Sequence, residues 1–546
     1  MKKIFSLLTL GLVALTVQAQ DNIYDIKFER DTTIGLKVSG IPLGSRDIHL
    51  IHYEYESKDV EGQDVTISGS VWVPQNVYDG SAPCDGVILY NHFTHTKATE
   101  QPSIYGEEVC NGLLASPLKP NYILVISDYI GFGPSLDRPQ AYLCGETNAR
   151  NSLDGLLAAR QIMNDKQIPQ GKYLFNLGYS QGGTETMYVA KLRDKEYKDK
   201  GVTFDKTFAG GGPFDFEKAY TEMVKAKRTS FAAGIVLMLV SLNENYNLGL
   251  DYKKMFLEPL ASNIDEWITS KKYGSYEVCD KIGRDSLKYF VQPEYLDIES
   301  DAAKVLREKL KEISLTKDWE MDPEQHYFLQ HSRHDTYVGI QSGRCIIDYM
   351  KGYDYMPSLV PGKTGLQTNM ITFKVDHLIS GAIWGVQTAA ALQLWPVLYY
   401  EGEQNCYYND VVKDLNLLKA IKLLESLGID IRKLMTSGNS GTASIFEVLA
   451  KIQEMLAKVD LTITDFLEMI TDSGISAQDI VDAYNYLNEN PDAEAEQGTD
   501  TVSVPVQATA ALQLMHLYEQ TLATWLLTGG IDVHYDMWGW NNAVEK

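Results

Sequence analysis

The stretch from Lys172 to Thr184, Lys-Tyr-Leu-Phe-Asn-Leu-Gly-Tyr-Ser-Gln-Gly-Gly-Thr, constrains the fold more than any other part of the chain. Leu174 to Leu177 have the pattern of the end of a buried strand. Gly178-Tyr179-Ser180-Gln181-Gly182 fits G-x-S-x-G, and Thr184 to Leu192 is compatible with a helix. A serine on so sharp a strand-to-helix turn needs glycine two positions before and two after it, where a Cβ would crowd the corner. Gly178 and Gly182 hold those positions. The pentapeptide also fits a plain glycine-rich turn with an idle serine, so Ser180 acquires a chemical role only if a base and an acid lie downstream.

The surrounding pattern supplies a frame for such partners. Ile48 to Tyr55 and Val65 to Val73 alternate apolar and polar residues, as two antiparallel opening strands would. Gly86 to Asn91 and Tyr122 to Ser127 are short continuous apolar runs, the pattern of parallel strands covered on both faces. Helices are expected around Tyr105 to Leu114 and over Asn148 to Met163. Strand, helix, strand, helix, strand, helix in this order predicts an α/β chain with a doubly wound, mostly parallel sheet. Phe204 to Ala209 adds a weaker strand. From Phe214 to about Asp322 the pattern changes to successive amphipathic helices, which reads as an inserted helical cap. Regular alternation resumes with the strand Tyr327 to Gln330, a helix through Cys345 to Met350, and a strand from Asn369 to Val375.

On a sheet of this kind a serine nucleophile is followed in the chain by an acid and then a histidine, each past the end of a late strand. Asp335 follows the strand that ends near His331, and His377 follows the next one. The chemistry requires both. A serine hydroxyl is a poor nucleophile until an imidazole takes its proton, and a carboxylate must fix the imidazole tautomer and stabilise the imidazolium. Asp376 and Asp128 are acidic rivals. Asp376 adjoins His377 and is poorly aimed at its own neighbour, while Asp128 suits a loop anchor. His326, His331 and His334 lack the carboxylate and spacing of a metal set, so no metal and no cofactor is expected. An oxyanion hole needs two backbone N–H donors. Gln181 supplies one by position; Phe93, after the strand ending at Asn91, is the candidate for the other, with Thr94 next. His92 in the same turn reads as a brace.

These residues carry a resemblance. Leu89-Tyr90-Asn91-His92, Ser127-Asp128-Tyr129-Ile130-Gly131-Phe132-Gly133, Gly178-Tyr179-Ser180-Gln181-Gly182-Gly183, Asp335-Thr336-Tyr337-Val338 and Asp376-His377, in that order over roughly Tyr53 to Gly385, resemble the α/β-hydrolase superfamily. More narrowly, the set is similar to the secretory lipase group and its bacterial relatives. The resemblance implies an ester hydrolase. One departure is Phe93, where the lipase-like pattern has glycine; a side chain there narrows the pocket for long acyl chains.

The remainder bounds the setting. Lys2 and Lys3 precede the apolar run Ile4 to Val17, and Val17-Gln18-Ala19 offers small residues for cleavage, the layout of a secretory signal peptide over 1–19. Its apolar core is shorter than a membrane span, and the apolar stretch Phe231 to Leu242 is too short to cross a bilayer as well. Phe231 to Leu242 could instead line an acyl pocket. A net charge of −24 argues against a nucleic-acid partner. Six cysteines, none in a C-x-x-C pair, leave disulfide pairing open.

Beyond Gly385, Ala382 to Tyr399 is expected to be the helix after the histidine. Asp410 to Leu487 reads as amphipathic helices, and Asn488 to Asp500 as an acidic linker. Val506 to Leu514 nearly repeats Val386 to Leu394, a likeness that Ala/Leu-rich helices share easily. The expected organisation is therefore a catalytic part over 20–213 and 323–400, a helical cap over 214–322, and a C-terminal helical region over 401–546. The expected function is an exported, periplasmic or secreted, serine hydrolase acting on a small-molecule ester. A serine peptidase or carbohydrate esterase on the same three residues is the near alternative, and a non-catalytic binding protein is the distant one. Oligomeric state is left open.

Overall fold

A computed structural model describes residues 23–38, 41–106, 113–115, 120–283, 285–350, 355–357, 366–371 and 375–398, with the isolated positions 450, 452, 453 and 480. The expected signal peptide and nearly all of the expected C-terminal helical region lie outside these residues.

Among the described residues ten strands form one sheet: β1 (Tyr24–Val38), β2 (Ile41–Lys58), β3 (Asp64–Pro74), β4 (Gly86–Asn91), β5 (Tyr122–Ser127), β6 (Tyr173–Tyr179), β7 (Lys206–Gly210), β8 (Tyr327–Ser332), β9 (Tyr355–Pro357) and β10 (Leu366–Ile371). Their spatial order is β1-β2-β3-β5-β4-β6-β7-β8-β10-β9. The β1–β2, β2–β3 and β3–β5 pairings are antiparallel, and every other pairing is parallel. The two opening strands expected from alternation are β2 and β3. β1, absent from the sequence reading, pairs with β2 from Tyr24↔Tyr55 to Val38↔Ile41.

The long helices are α1 (Gly145–Asp165), α2 (Gln181–Leu192), α3 (Phe216–Ala226), α4 (Ala232–Asn245), α5 (Ser275–Ile282), α6 (Asp301–Glu312), α7 (Ile340–Tyr349) and α8 (His377–Leu398). In place of a helix starting at Tyr105, a single turn Pro102–Tyr105 closes at Gly106 with φ of +66°; Leu113 and Leu114 are helical, and 107–112 lie outside the described residues. A turn at positive φ is where a helix ends, which glycine permits without strain.

β4 and β5 are buried at every residue, because helices cover both faces of the sheet. On one face α1 and α2 pack with the residues of α3 to α6 into a large apolar core. On the other, α8 sets Trp384 and Trp395 against Phe175, Phe208 and Phe328, with Phe175 and Trp395 edge to face at 5.0 Å. The Tyr122 hydroxyl ties the sheet to this helix by donating to the Leu392 carbonyl at 2.8 Å. The chain leaves the sheet after β7 and rejoins it at β8, and α3 to α6 lie between. Asp215 caps α3 by accepting from the Lys218 N–H at 3.0 Å, and Ser300 caps α6 through the Ala303 N–H at 3.0 Å.

Candidate active site

Ser180 sits between β6 and α2 at φ +60°, ψ −125°, a conformation that costs a non-glycine residue roughly 1–3 kcal/mol and persists only when its surroundings hold it. Two backbone bonds hold it: the Ser180 N–H donates to Gly210 O at 2.8 Å, and its own carbonyl accepts the Thr184 N–H at 3.2 Å. The flanking glycines are required by contact. A Cβ on Gly178 would stand 2.4 Å from the Gly182 carbonyl oxygen, and one on Gly182 would stand 2.1 Å from the Asn91 oxygen. The serine is thereby turned outward at the carboxyl end of the parallel strands.

His377 and Asp335 meet it there. His377 Nε2 lies 2.8 Å from Ser180 Oγ, and His377 Nδ1 lies 2.6 Å from Asp335 Oδ2. The Asp335 side chain is fully buried, and its Oδ1 accepts the N–H groups of Tyr337 and Val338, both at 2.8 Å. Burial works against ionisation of Asp335, but the charge and hydrogen bond of His377 and the nearby His331 outweigh it. Its carboxyl is held below the ordinary carboxylate range. With the carboxylate on Nδ1, the neutral imidazole carries its proton there and presents a bare Nε2 to the serine hydroxyl.

His377 opens α8 instead of lying in a loop before it. Asp376 is the reason the helix starts here. Its Oδ1 accepts the Ile379 N–H at 3.1 Å and its carbonyl accepts the Ser380 N–H at 2.9 Å, so this rival acid is spent as a helix cap. The approach is fixed from β8, where Ser332 Oγ donates to Val375 O at 2.6 Å. Asp128, the other rival, lies in a buried cluster, accepting from Ser68 Oγ at 2.7 Å, Gln101 Nε2 at 2.8 Å and the Ser103 N–H at 3.0 Å. His331 donates Nε2–H to Val338 O at 3.0 Å, and burial lowers its pKa against the raising effect of Asp335.

Gln181 is buried in the first turn of α2, where backbone N–H groups have no acceptor within the helix. β4 ends against this turn, as the Asn91–Gly182 contact requires, and Phe93 follows in the loop. His92 is a brace for that loop: its Nδ1–H donates to Phe93 O at 2.7 Å, its ring stacks on Tyr129 at 3.9 Å, and burial holds it well below the usual histidine range. The Phe93 ring stacks on His95 at 4.9 Å.

A cavity of about 620 Å³ opens above Ser180, Gln181 and Asp335. Phe231, Ile235 and Met238 line it from the start and the first two turns of α4, together with Tyr142 and Leu143. Three side chains here were given no role by the sequence. Tyr179 donates its hydroxyl to the His377 carbonyl at 2.6 Å. Tyr337 stacks on the imidazole, with centroids 4.7 Å apart and planes 16° apart. Glu185 is buried one turn beyond Gln181 and accepts from Asn148 Nδ2 at 2.9 Å. Burial raises the Glu185 carboxyl to about 8, against the lowering effect of hydrogen bonds from Asn148 and Gln181. Tyr179 and Tyr337 had a signal, since both lie in the stretches that carry the resemblance; Glu185 had none.

No family model and no curated protein matches the sequence. Solved structures do match its architecture. A protein of Legionella pneumophila classed as a hydrolase aligns with a TM-score of 0.57 at 18% identity, over 70% of this chain and 99% of its own. The rice cell wall degrading esterase LipA of Xanthomonas oryzae aligns with a TM-score of 0.53 at 18% identity, over 68% and 97%. The chain has the α/β-hydrolase fold. Within the α/β-hydrolase sheet, Ser180 follows β6, Asp335 follows β8, and His377 follows β10, so three segments far apart in sequence converge at one rim.

Proposed function

We propose that this chain is an exported serine hydrolase that cleaves carboxylic esters through an acyl-enzyme on Ser180. The observation that carries the reading is the position of His377, with one ring nitrogen on Ser180 Oγ and the other on Asp335. Ser180 Oγ attacks the ester carbonyl carbon while His377 Nε2 takes its proton. The resulting imidazolium is stabilised by the Asp335 carboxylate. The carbonyl π pair moves to oxygen, which the Gln181 and Phe93 N–H groups receive. Collapse expels the alcohol, which takes the proton from His377. Water then repeats the sequence on the acyl-enzyme, releasing the acid and restoring Ser180. No step calls for a metal or cofactor.

The apolar wall from α4 supports an acyl chain as the occupant of the cavity, and the esterase LipA shares the fold. Export is part of the proposal on the strength of the 1–19 segment, and is tested by the N-terminal sequence of the mature protein. Hydrolysis of p-nitrophenyl acetate, butyrate and palmitate by wild type and Ser180→Ala tests the rest. Loss of all three activities in the variant is expected. Equal, background rates in both proteins would favour the binding role, and cleavage confined to chromogenic dipeptides would move the reading to a peptidase.

A further inference from the structure

We infer that Tyr337 is a positioning residue for His377, and that the helical segment between β7 and β8 acts on the base through it. The inference rests on the serine-hydrolase reading of the site. Tyr337 serves both partners of the serine. Its backbone N–H holds Asp335 Oδ1 at 2.8 Å, and its ring lies against the His377 imidazole at 4.7 Å. The same ring stacks on Phe231, with centroids 4.9 Å apart and planes 5° apart.

Phe231 belongs to the other segment. It directly precedes α4, its N–H is fixed by Thr229 Oγ1 at 2.9 Å, and its neighbour Ser230 donates to Thr336 O at 3.5 Å. From α5, the Tyr276 hydroxyl comes within 3.4 Å of the Tyr337 hydroxyl. Phe231, Tyr337 and His377 thus form a continuous run of stacked rings from the helical segment to the base.

Such a stack does more than fill space. An aromatic face attracts a cation, and the imidazole becomes a cation only while it holds the serine proton. The attraction therefore grows as the transition state is reached, which is the condition for raising rate instead of merely binding substrate. Burial and then the neighbouring Tyr276 hold the Tyr337 phenol far above its usual range, so its ring stays neutral and electron-rich. The other groups around His377 are Asp335 on Nδ1, Ser180 on Nε2, His331 behind Asp335 at 3.7 Å, Asp376 at the helix start, and Tyr179 on its carbonyl.

Labelling of the serine by a fluorophosphonate probe, followed from pH 5 to 9, reads activation of Ser180 without reference to any ester. Tyr337→Leu is expected to slow labelling roughly threefold to thirtyfold, while Tyr337→Phe keeps it within about twofold of wild type. Loss of the ring disfavours the imidazolium, so the proton leaves more readily and the acidic limb of the labelling profile moves to lower pH. Phe231→Leu should give a smaller loss, and the double variant Phe231→Leu/Tyr337→Leu no more than Tyr337→Leu alone. On any ester that is turned over, the loss should fall on kcat with KM little changed.

Labelling of Tyr337→Leu at the wild-type rate with an unmoved limb would overturn the inference, as would a loss in Tyr337→Phe equal to that in Tyr337→Leu. If Tyr337→Leu fails to fold, Phe231→Leu and Tyr337→Phe still decide: a wild-type rate in the first, or a full loss in the second, sinks the idea. A wild type that is not labelled at all removes the serine-hydrolase reading and this inference together. A wild type that labels but hydrolyses no ester removes only the substrate class.

Discussion

Gly182 lies so close to Asn91 that a β-carbon on it would stand 2.1 Å from the Asn91 carbonyl oxygen, so the end of β4 and the start of α2 are in backbone contact. Gly182→Ala must push these two elements apart. Overpacking of this kind costs about 1–3 kcal/mol, more where backbone is the obstacle. Thermal melts should show a lower Tm, and because the contact separates Gln181 from the Phe93 loop, kcat should fall further than the residual stability explains.

Asp335 and Asp376 make a contrasting pair. Asp335→Asn should lower kcat by about 10⁴ with little change in fold, since the amide leaves the wrong imidazole tautomer facing Ser180. Asp376→Asn keeps a side-chain oxygen for the Ile379 N–H and should change Tm and kcat little; Asp376→Ala should cost about 1 kcal/mol of stability through the lost cap. Steady-state kinetics and calorimetry on the three variants separate the two carboxylates.

Glu185 should make the protein less stable as pH rises toward 8. Its native carboxyl is raised to about 8 while its unfolded value is near the ordinary one of about 4.3, so between these limits the native state holds a proton the unfolded state has lost. Stability therefore declines with rising pH across that window and levels off above it, a penalty on the order of a few kcal/mol. Glu185→Gln keeps an oxygen for Asn148 Nδ2 and removes the titration. Its Tm should exceed that of wild type by a wider margin at pH 8 than at pH 5.

Met238 on α4 faces the cavity together with Ile235. Met238→Trp should shorten the space available to an acyl chain. The ratio of kcat/KM for p-nitrophenyl octanoate to that for acetate is expected to fall at least about tenfold, a size consistent with exclusion of a few methylenes from an apolar pocket. An unchanged ratio would mean that the acyl group lies elsewhere.

Much of this arrangement could be read along the chain. Ser180 and its glycines announce themselves because the turn geometry tolerates so few residue types. Asp335 and His377 followed from topology, since strands that read as buried runs fix which loops share a rim. What escaped depended on contacts between distant segments. β1 was missed although Tyr24, Ile26 and Phe28 alternate with charged residues, a pattern that reads as a strand only once β2 is known to extend back to Ile41. His377 was expected ahead of its helix because nothing local distinguishes Asp376 as a cap. The partnership of Tyr337 with Phe231 leaves no trace in either local sequence, because stacking is a property of two rings brought together by the fold.

The bond from the Tyr179 hydroxyl to the His377 carbonyl joins the residue just before Ser180 to the backbone of His377 itself. Two segments separated by nearly two hundred positions are thus pinned right beside the Ser180–His377 hydrogen bond, not merely somewhere along their lengths. Slow breathing of the sheet or of the helices above it would carry serine and histidine along as one body, leaving their spacing almost untouched while the rest of the molecule drifts.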